Sequence, residues 1–178
     1  MLGEAPFGGA SNEKEVVQMN FGKAFLAGVV GGTVMTIIMA LVRATMMPQA
    51  NPEMMLGTMT GSMPGMGTWV MGLVIHLILS GVIALIYAVG FEYVTHRAGV
   101  LTGLGFAIIH LIIGGVVMGM MPMMHPMIPE QMPPPGAFMS GMGMMGTGLF
   151  VLEHLIYGAI VGAMYTPVHG ELRAGAEA

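Results

Sequence analysis

The chain has no cysteine, and only 8% of its 178 residues are charged. Without a thiol there is no disulfide, no thiolate metal site and no iron–sulfur cluster, so the available ligands are His, Met, Glu and backbone groups. Five Lys and Arg against nine Asp and Glu give a net charge of -4, and no basic patch is left to hold a phosphate backbone. Nucleic acid is thereby excluded as a partner. Charge this sparse, against roughly 25% in an ordinary soluble domain, excludes a soluble enzyme as well. No nucleophile with a paired base and no phosphate loop occurs, so the chain reads as a non-enzyme.

What is present is apolar. Hydrophobic residues make up 55% of the chain and the mean hydropathy is +0.81. Disordered chains rich in Gly and Pro are polar, so the 29 glycines and 11 prolines here serve packing and loops. A hydrocarbon core of about 30 Å needs about 20 apolar residues per helix, and four stretches qualify. These are residues 24–42 between Lys23 and Arg43, residues 68–91 ending at Glu92, the run from after Arg97 to Met121 where Pro122 is expected to stop it, and residues 146–165. The expected fold is an all-α membrane protein of four transmembrane helices. The N-terminal residues lack a basic region followed by an apolar core, so they read as a cytoplasmic segment, 1–22, and not as a cleaved signal.

The basic residues set the expected orientation. Lys14 and Lys23 precede the first span, Arg97 sits between the second and third, and Arg173 follows the fourth. Both termini, with the tail 167–178, are therefore expected in the cytoplasm of a bacterial inner membrane, and both long loops on the outer, periplasmic side. Trp69, Tyr87, Tyr93 and Tyr165 lie near span ends, as interfacial anchors do.

The chain also repeats itself. VIHLILSGVIALIY, ending at Tyr87, aligns without a gap on LEHLIYGAIVGAMY, ending at Tyr165. His76 thus matches His154, and the methionine-proline run at Met46 matches the one at Met120. Residues 23–95, with loop 47–67, and residues 96–166, with loop 122–146, read as two tandem helical hairpins related by a pseudo-twofold along the membrane normal. His76, Ser80, Ala84 and Tyr87 fall on one helical face, as do His154, Gly158, Gly162 and Tyr165. Small residues four apart, repeated in Gly28 and Gly32 and in Gly115 and Gly119, let helix backbones approach closely in lipid. Ser80, Gly158 and Gly162 are accordingly structural candidates.

His76, His110 and His154 lie at similar depths, counted from the ends of their spans. An imidazole in hydrocarbon must be hydrogen-bonded, ligated or facing a wet cavity. The plain alternative is packing, with Thr36, Ser80 and Tyr157 as partners. Three imidazoles at one depth could instead hold a transition ion, or His76 and His154 could ligate a b-type haem. Glu153 breaks the repeat, since its counterpart is Ile75. It is expected to pair with Arg43 near the outer surface, or to serve as a protonatable carboxylate beside His154.

Eighteen of the 24 methionines fall within residues 44–68 and 117–146. Thioether sulfur is a soft ligand that selects Cu(I) and needs no deprotonation. Met46, Met47, Met120, Met121, Met123 and Met124, with His125, would ring the outer mouth, and Met35 and Met39 would continue the path inward. Equally, Met is a flexible filler suited to a membrane surface or a partner subunit.

AGVVGGTVMT from Ala27, IHLILSGVIALIY from Ile75 and EHLIYGAIVGAMY from Glu153 resemble the spans of a group of small, uncharacterised bacterial four-helix membrane proteins with an internal hairpin repeat. The resemblance covers most of the membrane part and implies the fold and the repeat, with no activity attached. Met-rich outer segments and the Met35–Met39 spacing are also similar to those of three-span copper importers, although the span count differs. The leading expectation is a protein that binds Cu(I) through outer Met-rich loops and an intramembrane His cluster. The alternatives are a haem b protein of an electron-transfer or quinone assembly, and a ligand-free accessory subunit. The expected partners are the lipid bilayer and other membrane subunits or further copies of the chain.

Overall fold

The computed structural model describes residues 19–167. Lys14 and Arg173, on which the expected orientation partly rests, lie outside the described residues, as do most of the segments 1–22 and 167–178. Five α-helices follow in order: α1 Phe21–Thr45, α2 Pro52–Thr58, α3 Met66–Gly90, α4 Val100–Met124 and α5 Gly143–Met164. A π-helical turn, Phe91–Thr95, prolongs α3, and a 3-10 turn, Ala137–Met142, leads into α5. Four of these units, all except α2, are long and apolar enough to cross a membrane. Their outer faces are hydrocarbon: α4 alone exposes Ile108, Ile109, Ile112, Ile113 and Val116, as expected of helices whose surroundings are lipid.

Neighbours around the bundle run α3, α1, α5, α4. Small residues set the closest approaches. A β-carbon on Gly28 would overlap the Ser80 carbonyl oxygen, and one on Gly103 would overlap that of Gly158. The α1–α3 hairpin thus closes through the faces expected from the sequence, whereas in α4–α5 the expected face of α5, with Gly158 and Gly162, meets Gly103 of α4 in place of the expected Gly115 and Gly119. Between the hairpins, α1 meets α5 where Gly31 accepts the ring of Tyr157, and the Tyr157 hydroxyl donates across the bundle to the Ser80 carbonyl.

The ends of two helices differ from expectation. Pro122 lies inside α4, which runs on to Met124. A proline this close to the end removes one amide donor, and the chain closes the helix beyond it through His125 N–H to the Met121 carbonyl, 2.8 Å. The first long loop also carries a helix that was not foreseen. Asn51 caps α2 by accepting from Met54 N–H at 3.0 Å, and Pro52 supplies the preset first position. This helix packs on α3 so tightly that a β-carbon on Gly72 would overlap the Glu53 carbonyl oxygen.

Helix α2 brings in the partner of Arg43. The Arg43 guanidinium lies 3.3 Å from Glu53 Oε2 and 3.3 Å from Asn51 Oδ1. The expected Arg43–Glu153 pair is not formed, because the returning chain puts Glu53, ten residues from Arg43, against it first.

The second long loop folds over the same end of the bundle. Gly115 and Gly119 receive Phe138 and Ala137 of its 3-10 turn, so this pair of small residues admits a loop and not a helix. His125 fastens the loop to α2. Its Nδ1 accepts from Met127 N–H at 3.1 Å, so the proton sits on Nε2, which donates to the Met55 carbonyl at 2.9 Å and contacts Thr58 Oγ1 at 3.2 Å. Removing a buried, bonded ring of this kind costs about 1–3 kcal/mol. His125→Ala is therefore expected to raise protease cleavage and hydrogen exchange within residues 126–136 while the four long helices persist.

Candidate functional site

Helices α3 and α4 meet at the end of the bundle that carries their short connection. There Phe106 packs on Phe91 at 5.2 Å between ring centroids and on Tyr87 at 5.7 Å, filling the space beside Gly90. Further along, a cavity of about 400 Å³ separates the two helices, floored by Met35, Phe150, His154 and Tyr157 and roofed by Pro52, Met55 and Leu56 of α2. That volume falls within the roughly 300–1,000 Å³ of small-molecule sites. Leu79 and Ile86 on α3 and Ile109 and Ile113 on α4 line the cavity and are also exposed on the outside of the bundle. The cavity therefore opens sideways onto the apolar surface.

The asymmetry has a residue-level cause. Where α5 offers Tyr157 to Gly31 of α1, the aligned position on α3 is Leu79. Facing it, α4 carries bulky Phe106, Ile109 and Ile113. One side between the hairpins closes on a glycine, and the other is held open by branched and aromatic side chains.

All three intramembrane histidines line this cavity. His110 and His154 are in ring contact, with centroids 4.7 Å apart. His154 Nδ1 lies 2.8 Å from the Phe150 carbonyl. A carbonyl only accepts, so the proton is on Nδ1 and the lone pair on Nε2, which is turned towards Gly114 of α4, one helical turn from His110. His110 Nδ1 is 3.3 Å from the Tyr87 hydroxyl. His76 stands apart: its Nε2 lies 3.2 Å from the Gly32 carbonyl and is therefore a donor. The three partners, Gly32, Tyr87 and Phe150, differ from the expected Thr36, Ser80 and Tyr157. Among the described residues, no three His, Asp or Glu side chains are grouped as a metal site.

The methionines divide. Met35, Met55, Met118 and Met121 line the cavity. Met39, by contrast, is 1% exposed and packs with Met47, Ala50 and Leu149, so Met35 and Met39 serve different places. Met46, Met120, Met123 and Met124 are exposed at the end bearing the long loops, whereas both nitrogens of His125 are engaged as described above. Ser80, Gly158 and Gly162 are buried at helix contacts, and Glu153 is buried without reaching Arg43.

The sequence did not single out Tyr87 as a site residue, nor Glu53. Tyr87 shares the face of His76 and Ser80, and this could have identified it. The Asn51-Pro52-Glu53 run is a helix-start signature that could have located Glu53. Comparison of the chain with family models, curated proteins and solved structures finds no match.

Proposed function

We propose that the protein binds a soft monovalent metal ion, Cu(I), at the His110–His154 pair, with methionine sulfur completing the site. The observation that carries this reading is the tautomer of His154. A metal-ligating imidazole characteristically donates its second N–H to a carbonyl or carboxylate, which fixes the ring and leaves the other nitrogen free. His154 does this with Phe150. His110 can do the same by donating Nδ1–H to the Tyr87 oxygen, 3.3 Å away. Met35, Met118 and Met121 share the cavity and offer neutral sulfur, which suits Cu(I) in a site without carboxylates. In this reading the exposed Met120, Met123 and Met124 capture the ion on the outer face of a bacterial inner membrane, and Met121 and Met118 pass it to the histidines. The protein is then a binding or transfer protein and not an enzyme.

The haem alternative asks both His76 and His154 to ligate through Nε2. For His76 that means giving up its bond to the Gly32 carbonyl. One sample separates the readings. Protein purified in mild detergent is titrated with Cu(I) under reducing conditions against a chromophoric chelator, and its absorption spectrum and metal content are recorded. About one Cu(I) per chain is expected, lost in His110→Ala and His154→Ala and retained in His76→Ala and His125→Ala. Tyr87→Phe, which removes only the outer partner of His110, is expected to weaken binding about 10-fold. A Soret band with iron would replace copper by haem b. Neither signal would make the protein a ligand-free subunit of a larger membrane assembly.

A further inference from the structure

The cavity holds one acceptor that copper binding at His110 and His154 does not use. His76 Nε2 donates to the Gly32 carbonyl at 3.2 Å, so the neutral ring carries its lone pair on Nδ1. The ring lines the cavity, and among the described residues nothing donates to that nitrogen. Two hydroxyls in the same lining send their hydrogens elsewhere. Ser80 Oγ donates to the His76 carbonyl at 2.8 Å, and Tyr157 donates to the Ser80 carbonyl.

Most of the volume is unused as well. An ion between His110 and His154 fills little of about 400 Å³, since even a water molecule accounts for only about 30 Å³. Around the imidazoles the lining is largely hydrocarbon, with Ile83 on α3 and Ile109, Ile113 and Val117 on α4. An apolar chamber with a few convergent polar groups is the usual form of a small-molecule site.

The open side of the cavity decides where a ligand comes from. Pro52, Met55 and Leu56 of α2 cover the end towards the long loops, and Phe106, packed on Tyr87 and Phe91, stands at the other. Between these ends, Leu79 and Ile86 of α3 face Ile109 and Ile113 of α4, and all four reach the outer, apolar surface of the membrane-spanning helices. A molecule entering there arrives dissolved in the bilayer.

We propose that the cavity binds a neutral, hydroxyl-bearing lipophile taken from the bilayer, whose hydroxyl donates to His76 Nδ1 and whose apolar body lies between α3 and α4. The unpaired acceptor selects the head. An alcohol or a phenol supplies the missing hydrogen, whereas an ether or a ketone would set a second acceptor against the nitrogen. A charged head would be buried without a counter-charge, at far greater cost. The hydrocarbon walls select the body. The inference does not rest on metal binding, because His76 takes no part in that site.

The test uses the metal-free whole chain in phosphatidylcholine vesicles and a para-hexylphenol carrying a diazirine in its tail. On irradiation the diazirine loses dinitrogen and the carbene inserts into a neighbouring bond, so peptide mass spectrometry maps where the tail lay. Adducts are expected on the cavity-lining stretches of α3 and α4. Unlabelled para-hexylphenol should compete, and its methyl ether, with the same body and no hydrogen to donate, should not. Decanol distinguishes the two sources of the hydroxyl: competition by decanol as well assigns lipophilic alcohols in general, and competition by the phenol alone assigns an aromatic head. His76→Ala should lower the competed labelling about 10-fold and leave Cu(I) uptake as it is in the unmodified chain. Ile83→Trp, which fills the cavity and keeps the His76–Gly32 bond, should abolish the labelling and decides the matter where His76→Ala does not fold. Adducts spread evenly over the lipid-facing sides of all four spans would overturn the proposal, as would equal competition by the methyl ether, since either means that acyl chains merely solvate the groove. Labelling unchanged in His76→Ala or in Ile83→Trp would overturn it too.

Discussion

Gly103→Leu is expected to prevent α4 and α5 from docking and to leave little folded protein in detergent. A β-carbon at this position would overlap the Gly158 carbonyl oxygen and lie 3.0 Å from Gly162 Cα, and all its nearest neighbours are backbone atoms. No rotamer can move out of the way, so the helices themselves must separate. Overpacking of this kind costs about 3 kcal/mol or more where nothing yields. Separation also pulls His154 from His110, so any ligand held by the pair should be lost together with the thermal transition. The control sits two residues along the same helix. Gly105 is exposed with nothing within 4 Å of its would-be β-carbon, and Gly105→Ala should be neutral or stabilise by about 0.5–1 kcal/mol through the helical backbone. Unfolding by heat or denaturant, followed by circular dichroism, measures both. Similar losses in the two variants would mean that glycine content, and not the α4–α5 approach, governs folding.

The same contact explains what could be read from the sequence. Four spans are legible because a fixed membrane thickness demands a fixed run of apolar residues. Helix faces on α1 and α5 are legible because glycines at four-residue spacing serve close backbone contact, which Gly28, Gly158 and Gly162 provide, whereas on α4 the spaced pair Gly115 and Gly119 meets a loop and the contact falls to Gly103. Spacing along one helix reports on one helix only. It does not say which helices remain apart, and the cavity arises from exactly such a separation of α3 and α4. That separation depends on Phe106 wedging against Tyr87 and Phe91 and on Leu79 standing where the other hairpin has Tyr157. The methionines show a similar limit. Composition gathers them at one end of the bundle, but only packing divides Met121, which lines the cavity, from Met123, which is 84% exposed.

Arg43 shows how a depth argument fails and how the observed pairing can be checked. Counting residues from the helix ends puts Arg43 and Glu153 level, and that count is insensitive to a short helix folding back onto Arg43. Helix α2 does so and delivers Glu53, 1% exposed, to Arg43 at 3.3 Å. Arg43→Met keeps much of the apolar stem and strands the Glu53 carboxylate in a buried position. Losing one partner of such a pair is expected to destabilise by about 3 kcal/mol, reduced to the extent that Arg43 is itself partly solvated. Adding Glu53→Gln should recover most of the loss, because an amide needs no counter-charge. Adding Glu153→Gln instead should recover none. In double-mutant cycles on thermal or denaturant unfolding, the Arg43–Glu53 coupling should be about 1–3 kcal/mol, and the Arg43–Glu153 coupling should lie within about 0.5 kcal/mol of zero. The reverse result would restore the pairing expected from depth alone.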